Sequence, residues 1–351
     1  MPTPTANLPT PNFAYDPATD IRAGRRPFRR GTYRLECPPG GDKVLIHNYG
    51  HGGAGITMAL GCALEVRDMV RASGKASEGT AVAVLGGGVM GLTVATLLKE
   101  MRLDVRMYAK SFTDTVSDIA GGQWSPSIVT YEETAAGKQR FERILCRAFR
   151  GYQAMINQGY GVSTQPNYVH KKTDGFKKVP ESLITPVPVP SLPFDGHNGL
   201  SGWRYDTLLI EPPIFLGRLR RDLSGQSVPM NRQAFSSPRQ ISDLAEPIVV
   251  NCTGLGSREI WTDRELVPRQ GQLVFLQPQP RLQYLYSGMR QRGYIFSRTD
   301  AVVVGGTDDV IDNDNKDPTK CEAFITAHKA AFAGRMTWFR SFMIPRYFVR
   351  K

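Results

Sequence analysis

Two hydrophobic periods alternate along this chain. The run Ala81–Leu85, AVAVL, is continuously apolar and rich in β-branched residues, the pattern of a parallel strand buried on both faces. Beyond the glycines of GGGVMG, residues 89–99 read as a helix and 105–108 as a second strand, so 81–108 predicts strand, Gly-rich turn, helix and strand. Earlier in the chain, HNYGHGGAG gives way to a helical stripe. Ile56, Leu60, Ala63 or Leu64, and Val70 fall on one side, with Arg67 and Asp68 towards solvent. Leu208, Leu209 and Ile210 suit a further buried strand, and a helix is expected near 321–338. No apolar run approaches the roughly 18–20 residues needed to cross a bilayer. Strands alternating with helices predict an α/β fold.

The glycines of the first turn carry specific physical demands. Gly86, Gly88 and Gly91 occupy the three positions of GxGxxG. The first permits a tight turn, the second lets backbone approach a pyrophosphate, and the third lets the helix pack close to the strand. Val89 and Met90 then open a helix whose positive N-terminal end faces that phosphate. The pattern predicts a bound dinucleotide without choosing between FAD and NAD. It departs from the usual form at the end of the second strand, where an acidic ribose contact is expected and Tyr108 and Ala109 lead to Lys110. Ribose recognition then comes from elsewhere, or Lys110 reaches a phosphate.

Composition narrows the classes. The 351 residues, 41% of them hydrophobic, suffice for a substantial core. Residues 1–20 lack the apolar stretch of a secretory signal, and Cys37, Cys62, Cys146, Cys252 and Cys321 follow no metal or disulfide spacing, so reduced thiols and a cytoplasmic location are expected. The net charge is +12, and RAGRRPFRRGTYR at 22–34 concentrates arginines. Pro27 and Phe28 interrupt that run and no nucleic-acid module surrounds it, so a solvated basic face is expected, with one arginine recruited to a site. Neither nucleic acid nor membrane is an expected partner.

Several further blocks resemble D-amino-acid oxidases, in the order those flavoproteins use. MYAKSFTDTVSDIAGGQWSPSI is similar to the segment that wraps FAD after the second strand, with Thr115, Ser117, Gly121, Gly122 and Gln123 as implied cofactor contacts. EPIVVNCTGLGSR at 246–258 resembles the strand returning to the nucleotide domain and implies contacts at Thr253 and Gly254. GWRYDTLLIEPPIFLGRLRRDL at 202–223 and GYIFSRTDAVVVGGT at 293–307 resemble elements of the substrate domain. Two blocks are displaced. GRRPFRRGTYRLE at 24–36 resembles the family's arginine-proline segment, and HNYGHGGAGITMALGCALE at 47–65 its signature near the C-terminus, here with Gly53, Gly55, Ile56 and Thr57 implied at the flavin. Both precede the fingerprint, and ASGKASEGT at 72–80 is a flexible joint of the kind that permits circular permutation.

The resemblance implies an FAD-binding Rossmann-type domain with an interleaved mixed β-sheet substrate domain, in circularly permuted order. The expected division is a tail (1–23), a substrate segment bearing the carboxylate-binding arginine (24–42), the flavin-contacting loop and helix (43–71), a linker (72–80), the FAD-binding core (81–178), the substrate domain (179–245), a return to the FAD domain (246–264), and substrate domain with a C-terminal helix (265–351). The implied reaction is oxidation of an amino acid, D in preference to L. Hydride passes from Cα to flavin N5, the imino acid hydrolyses to a 2-oxo acid and ammonia, and oxygen reoxidises the flavin. A dehydrogenase, an L-amino acid oxidase and a flavin-bound scaffold with a basic binding face are the alternatives; assembly into a homo-oligomer is compatible with each.

Within that resemblance Arg26 matches the arginine that clamps the substrate carboxylate, since a planar guanidinium makes paired hydrogen bonds to it. Tyr205 is the candidate for a tyrosine hydroxyl on the same carboxylate. Tyr49, His47 and His51 are expected to fix the signature loop, and His170, His197 and His328 have no partner that sequence reveals. The Pro-rich stretch 177–199 is either a lid or, preferably, a stiff surface connection.

Overall fold

The computed structural model describes residues 7–195, 199–288 and 293–333. His197 and the end of the expected C-terminal helix, 334–338, lie outside the described residues. Two sheets organise the rest. The first contains β2 (Arg34–Glu36), β3 (Val44–Tyr49), β10 (Ile248–Asn251), β4 (Ala81–Leu85), β5 (Asp104–Ala109) and β9 (Met230–Arg232), in that spatial order. From β3 to β9 the strands are parallel, and β2 is antiparallel to β3. The AVAVL strand is buried from Val82 to Leu85, as its unbroken apolar sequence requires.

Strand β10 lies between β3 and β4 in a common register. Ile248 is level with Val44 and Val82, and Asn251 with His47 and Leu85. The three chains therefore leave the sheet side by side at their C-terminal ends, the crevice where open α/β sheets bind ligands. Helices α1 (Gly55–Ala72), α2 (Val89–Glu100) and α3 (Ala135–Ala154) pack together beside this sheet. Helix α1 ends at Ala72 and β4 begins at Ala81, so the polar stretch between them is a short connection, as expected.

The second sheet is mixed and runs β1 (Ile21–Arg29), β11 (Leu266–Leu276), β14 (Val302–Gly305), β13 (Tyr294–Ser297), β12 (Leu285–Ser287), β6 (Val162–Val169), β8 (Gly202–Ile210), β7 (Val187–Val189). The shorter helices are α4 (Asp174–Lys177), α6 (Pro238–Ser242) and α7 (Gly256–Ile260); α5 (Pro212–Gly225) packs on α2, and α8 (Pro318–Phe332) lies near β11 and β14.

Three boundaries differ from expectation. Residues 7–23 are no free tail. Leu8 bridges to Phe194, Phe13 and Ile21 are buried with Tyr284 and Tyr286, and β1 already starts at Ile21. Segment 24–42 is divided, β1 entering the eight-stranded sheet and β2 the six-stranded one. The span 81–178 is divided too, because β6 pairs with β8 and β12 in the eight-stranded sheet. Its sequence VSTQPNYV is half-polar, unlike a doubly buried Rossmann strand. The Pro-rich stretch contributes β7 at a sheet edge and otherwise runs as a connection; none of its described residues borders the cavity described below.

The helix contact of α1 with α3 depends on Gly61, where a side-chain Cβ would stand 2.1 Å from the Ile144 carbonyl oxygen. Gly217 of α5 faces open space. Gly61→Ala is therefore expected to cost about 1–3 kcal/mol by forcing the helices apart. Gly217→Ala should stabilise by up to about 1 kcal/mol through helix propensity. Urea denaturation of the two variants checks the opposite signs.

Candidate active site

A cavity of about 460 Å³ opens where the two sheets meet, within the size range of small-ligand sites. One wall comes from the first sheet's C-terminal ends. Asn48 and Tyr49 end β3, Gly53, Gly55 and Ile56 lead into α1, Val89 and Met90 open α2, and Cys252 and Gly254 follow β10. The segment Ser117–Gln123 closes the side, and Ser125, Ser127 and Ile128 meet the α1 loop. The opposite wall is built by strand alternation. Gly24 and Arg26 on β1, Gly271 and Leu273 on β11, and Tyr294 and Phe296 on β13 each stand two apart and face the cavity.

Close backbone approach shapes this cradle. Gly86 has φ +119°, and a Cβ there would lie 2.3 Å from the Cys252 carbonyl oxygen. Gly122 has φ +102° and its Cβ would strike the Ile210 carbonyl oxygen at 2.3 Å. Both positions require glycine. Helix α1 has no side-chain cap at Ala54, and a 3-10 turn at Gly52–Ala54 leads directly into it. At α2, the Val89 N–H donates to Ser117 Oγ at 3.1 Å.

The structure brings most of the expected cofactor contacts to this cavity: Gly53, Gly55, Ile56, Val89, Met90, Ser117, Gly121, Gly122, Gln123 and Gly254 all border it, and so does Arg26. Others serve it from behind. Gly86 shapes the turn, a Cβ at Gly91 would meet the Gly86 carbonyl oxygen at 2.0 Å, and Gly88 caps α2 against Ser117. Thr115 is turned away, its N–H and hydroxyl both donating to Asp118, which Arg220 holds. The Thr57 hydroxyl donates to the Ser125 carbonyl at 2.9 Å, and that of Thr253 to Asn251 Oδ1 at 2.8 Å, so both fasten loops. Lys110 is exposed and does not border the cavity.

Tyr205 requires a correction. It is buried in β8, stacks on Phe176 with ring centroids 4.2 Å apart, and is absent from the cavity wall. A tyrosine in a strand gives no sign of which face is wet, and here Tyr205 belongs to the core. The tyrosine beside Arg26 is instead Tyr294, stacked on Phe296 at 4.2 Å. Burial raises its pKa while the Arg26 charge pulls the other way, so at neutral pH it keeps a proton to donate. Alternation within GYIFS, with Tyr294 and Phe296 on one face, was the available signal. Asn48 and Asp308 were also missed; neither belongs to a motif with a spacing rule.

Arg26 is fixed by protein acceptors. Its Nε donates to the Arg269 carbonyl at 3.2 Å, and Nη2 reaches the Gln270 and Thr307 carbonyls and Asp308 Oδ1 at 3.1, 2.9 and 3.2 Å. Its Nη1 has no acceptor among the described residues. The neighbouring arginines do not form an open basic face. Arg25 pairs with Asp312 and Asp314, Arg29 with Asp263, and Arg34 with Glu36, while Arg22 lies over the Phe275 ring.

The signature histidines are structural. His47 Nδ1 lies 3.1 Å from Asn251 Nδ2, and its ring meets Tyr49 and Trp261 edge-on. His51 stacks on Tyr33, with Nε2 3.4 Å from Cys62 Sγ. Burial depresses their pKa values from 6.5 to about 4 and about 3. His170 Nε2 is 3.1 Å from the Tyr286 hydroxyl, and His328 Nδ1 is 2.7 Å from the Phe324 carbonyl; both lie outside the cavity wall.

Two buried amide atoms on residues of the cavity wall test whether the expected FAD fits. Asn48 Oδ1 and Gln123 Nε2 are buried without a hydrogen-bond partner among the described residues. An unpaired acceptor and an unpaired donor on two residues of one cavity wall suit a polar ring edge with complementary groups, as an isoalloxazine offers. With the glycine cradle, the residues present fit that group.

Neutral burial of His51 has a pH signature. The unfolded chain takes up its proton below 6.5 and the folded chain only near 3, so the contribution is complete above 6.5 and is lost as pH falls towards 3. The urea midpoint should fall between about pH 7 and pH 4.5, and fall less in His51→Gln, which has no such proton to accept.

No family model matches the chain. It is 29% identical over 249 residues to the D-aspartate oxidase of Homo sapiens, covering 64% of this chain and 68% of that one. It is 28% identical over 239 residues to the D-amino-acid oxidase of Rubrobacter xylanophilus, with the same coverage, 64% and 68%. Among solved structures, the glycine oxidase of Geobacillus kaustophilus superposes with a TM-score of 0.54 at 15% identity, covering 73% of this chain and 78% of that one, which shows a shared fold. The resemblance read from the motifs is thereby borne out: over 64% of its length this chain is similar to D-aspartate and D-amino-acid oxidases.

Proposed function

We propose that the protein is an FAD-dependent amino acid oxidase, acting on D-amino acids in preference to L. One observation carries the reading. The cavity between the nucleotide-type turn and the mixed sheet holds an arginine, Arg26, whose backbone contacts fix it while Nη1 stays open. The relatives named D-aspartate oxidase and D-amino-acid oxidase support both the substrate class and its handedness.

FAD, when bound, would supply the redox chemistry, accepting a hydride from the substrate Cα and passing the two electrons to oxygen to give hydrogen peroxide, with hydrolysis of the imino acid to a 2-oxo acid and ammonia. The protein's own contribution is placement. Gly121, Gly122, Gln123 and Asn48, all on the cavity wall, would hold the ring system, Asn48 through its unpaired amide oxygen. The positive N-terminal end of α1 at Gly55 and Ile56 would favour negative charge on a ring bound beside it. Arg26 Nη1 binds the substrate carboxylate and Tyr294 donates to it, so that Cα is oriented rather than chemically activated. His51, neutral and enclosed, takes no proton from substrate.

The chain order also supports circular permutation. The β3–α1 unit precedes β4 yet lies beside the β10–β4 pair, joined by the short connection after Ala72. A match read in one direction along both chains stops at 64% of this one. Rewriting the sequence as 81–333 followed by 24–71 should extend the covered share of the D-aspartate oxidase beyond 68%; unchanged coverage counts against permutation.

The function is tested with purified holoprotein. D-amino acids should bleach the flavin absorbance without air, and air should restore it. Arg26→Leu is expected to raise KM at least about tenfold, the loss of a charge-assisted hydrogen bond, with FAD still bound. Flavin that no amino acid bleaches contradicts the proposal, and an unchanged KM removes Arg26 from the site.

A further inference from the structure

The cavity loop from Ala120 to Gln123 is held from behind the wall at two of its carbonyls. The Gly122 carbonyl accepts from the Ile210 N–H at 2.8 Å, so its direction follows from the bridge between Gln123 and Leu209 of β8. The Ala120 carbonyl accepts instead from a side chain, Arg298 Nη1 at 3.0 Å. Ala120 and Gly121 border the cavity, whereas Arg298 does not.

Arg298 stands in the tight turn that joins β13 to β14, where its main-chain N–H donates to the Ala301 carbonyl at 3.0 Å. Its side chain is 1% exposed. Nε and Nη2 pair with Asp300, and the guanidinium lies over the Phe275 ring. The turn is itself fastened, because the Thr299 N–H and hydroxyl both donate to Glu211 Oε2, at 2.7 and 2.6 Å, where α5 begins. An arginine that served the turn alone would be satisfied by Asp300. Its remaining donor crosses to the cavity loop.

That bond fixes more than a carbonyl. A trans peptide is planar, with its C=O and N–H pointing in opposite directions. Turning the Ala120 carbonyl to Arg298 therefore turns the Gly121 N–H away from it. Gly121 cannot hold that direction by itself. A Cβ there would stand 2.7 Å from the Phe296 ring, so close packing demands glycine, and glycine accepts either sign of φ, which leaves the preceding peptide free to rotate. The guanidinium removes this freedom, and by polarising the peptide it strengthens the N–H as a donor.

We propose that Arg298, braced by Asp300, is a positioning residue for the cofactor: it locks the Ala120–Gly121 peptide so that the Gly121 N–H faces the bound FAD ring. The inference rests on the FAD of the function proposed above and is independent of the substrate.

The test replaces Arg298 by Met in the full chain, which keeps much of the bulk and leaves Asp300, 40% exposed, to hydration. Arg298→Met should weaken FAD binding at least about tenfold in a fluorescence titration and shift the visible absorption bands of the flavin that does bind. A crystal structure of the variant should show the Ala120 carbonyl rotated. A variant that is less stable to urea yet keeps the wild-type Kd and bands has lost a merely structural contact and overturns the proposal, as does an unrotated carbonyl. Should the variant fail to fold, the unaltered protein decides: its Gly121 amide hydrogen should exchange at least about tenfold more slowly with FAD bound than without, and equal rates overturn the proposal. Failure of the oxidase reading looks different, because FAD then binds with these signatures and no amino acid bleaches it. A chain that takes up no FAD overturns both.

Discussion

The site depends on the insertion of β10, in register, between β3 and β4. Because Asn251, His47 and Leu85 lie level with one another, three loops leave the sheet close together: the glycine loop before α1, the Gly86 turn before α2, and Cys252–Gly254. Their backbones then approach within contact distance, as the Cys252 carbonyl against Gly86 shows. A slip of one residue in either pairing would exchange the side chains packed on the two faces of these strands and separate the loops. Few side chains could tolerate this convergence, which is why glycine dominates the cradle.

The second sheet supplies what the first lacks. Its antiparallel pairing of β1 with β11 places Arg26 opposite Arg269, and the short segment after β14 brings Asp308 to both. Arg26 is held by main-chain carbonyls, so its position follows from sheet register instead of from a flexible side-chain network. That suits a group whose work is orientation. Tyr294 and Phe296 arrive on the same face by strand alternation, giving the cavity an aromatic wall next to its charge.

Much of this was legible from residues alone. The AVAVL strand, the glycine turn, the helix and the second strand stand where hydrophobic period and glycine spacing put them, because each is a local pattern. Arg26 was legible because it travels with a proline in a recognisable block. Tyr205 was not, since choosing among tyrosines requires knowing which strand face borders the cavity, and register with distant strands decides that. Thr57, Thr115 and Thr253 looked like ligand contacts but satisfy nearby backbone or carboxylate groups. Strand β6 was hidden for a similar reason: its half-polar sequence belongs to a sheet assembled from segments far apart in the chain.

The relationship to D-amino-acid oxidases and the geometry of the cavity converge on one requirement, that the cradle hold a flavin dinucleotide. Identifying the molecule released by heat from the purified protein, by its absorbance, fluorescence and mass, tests that requirement most directly. The account predicts FAD in stoichiometric amount, or tight uptake of FAD by protein purified without it. A protein that releases a nicotinamide dinucleotide instead, or that neither releases nor takes up FAD, would contradict it.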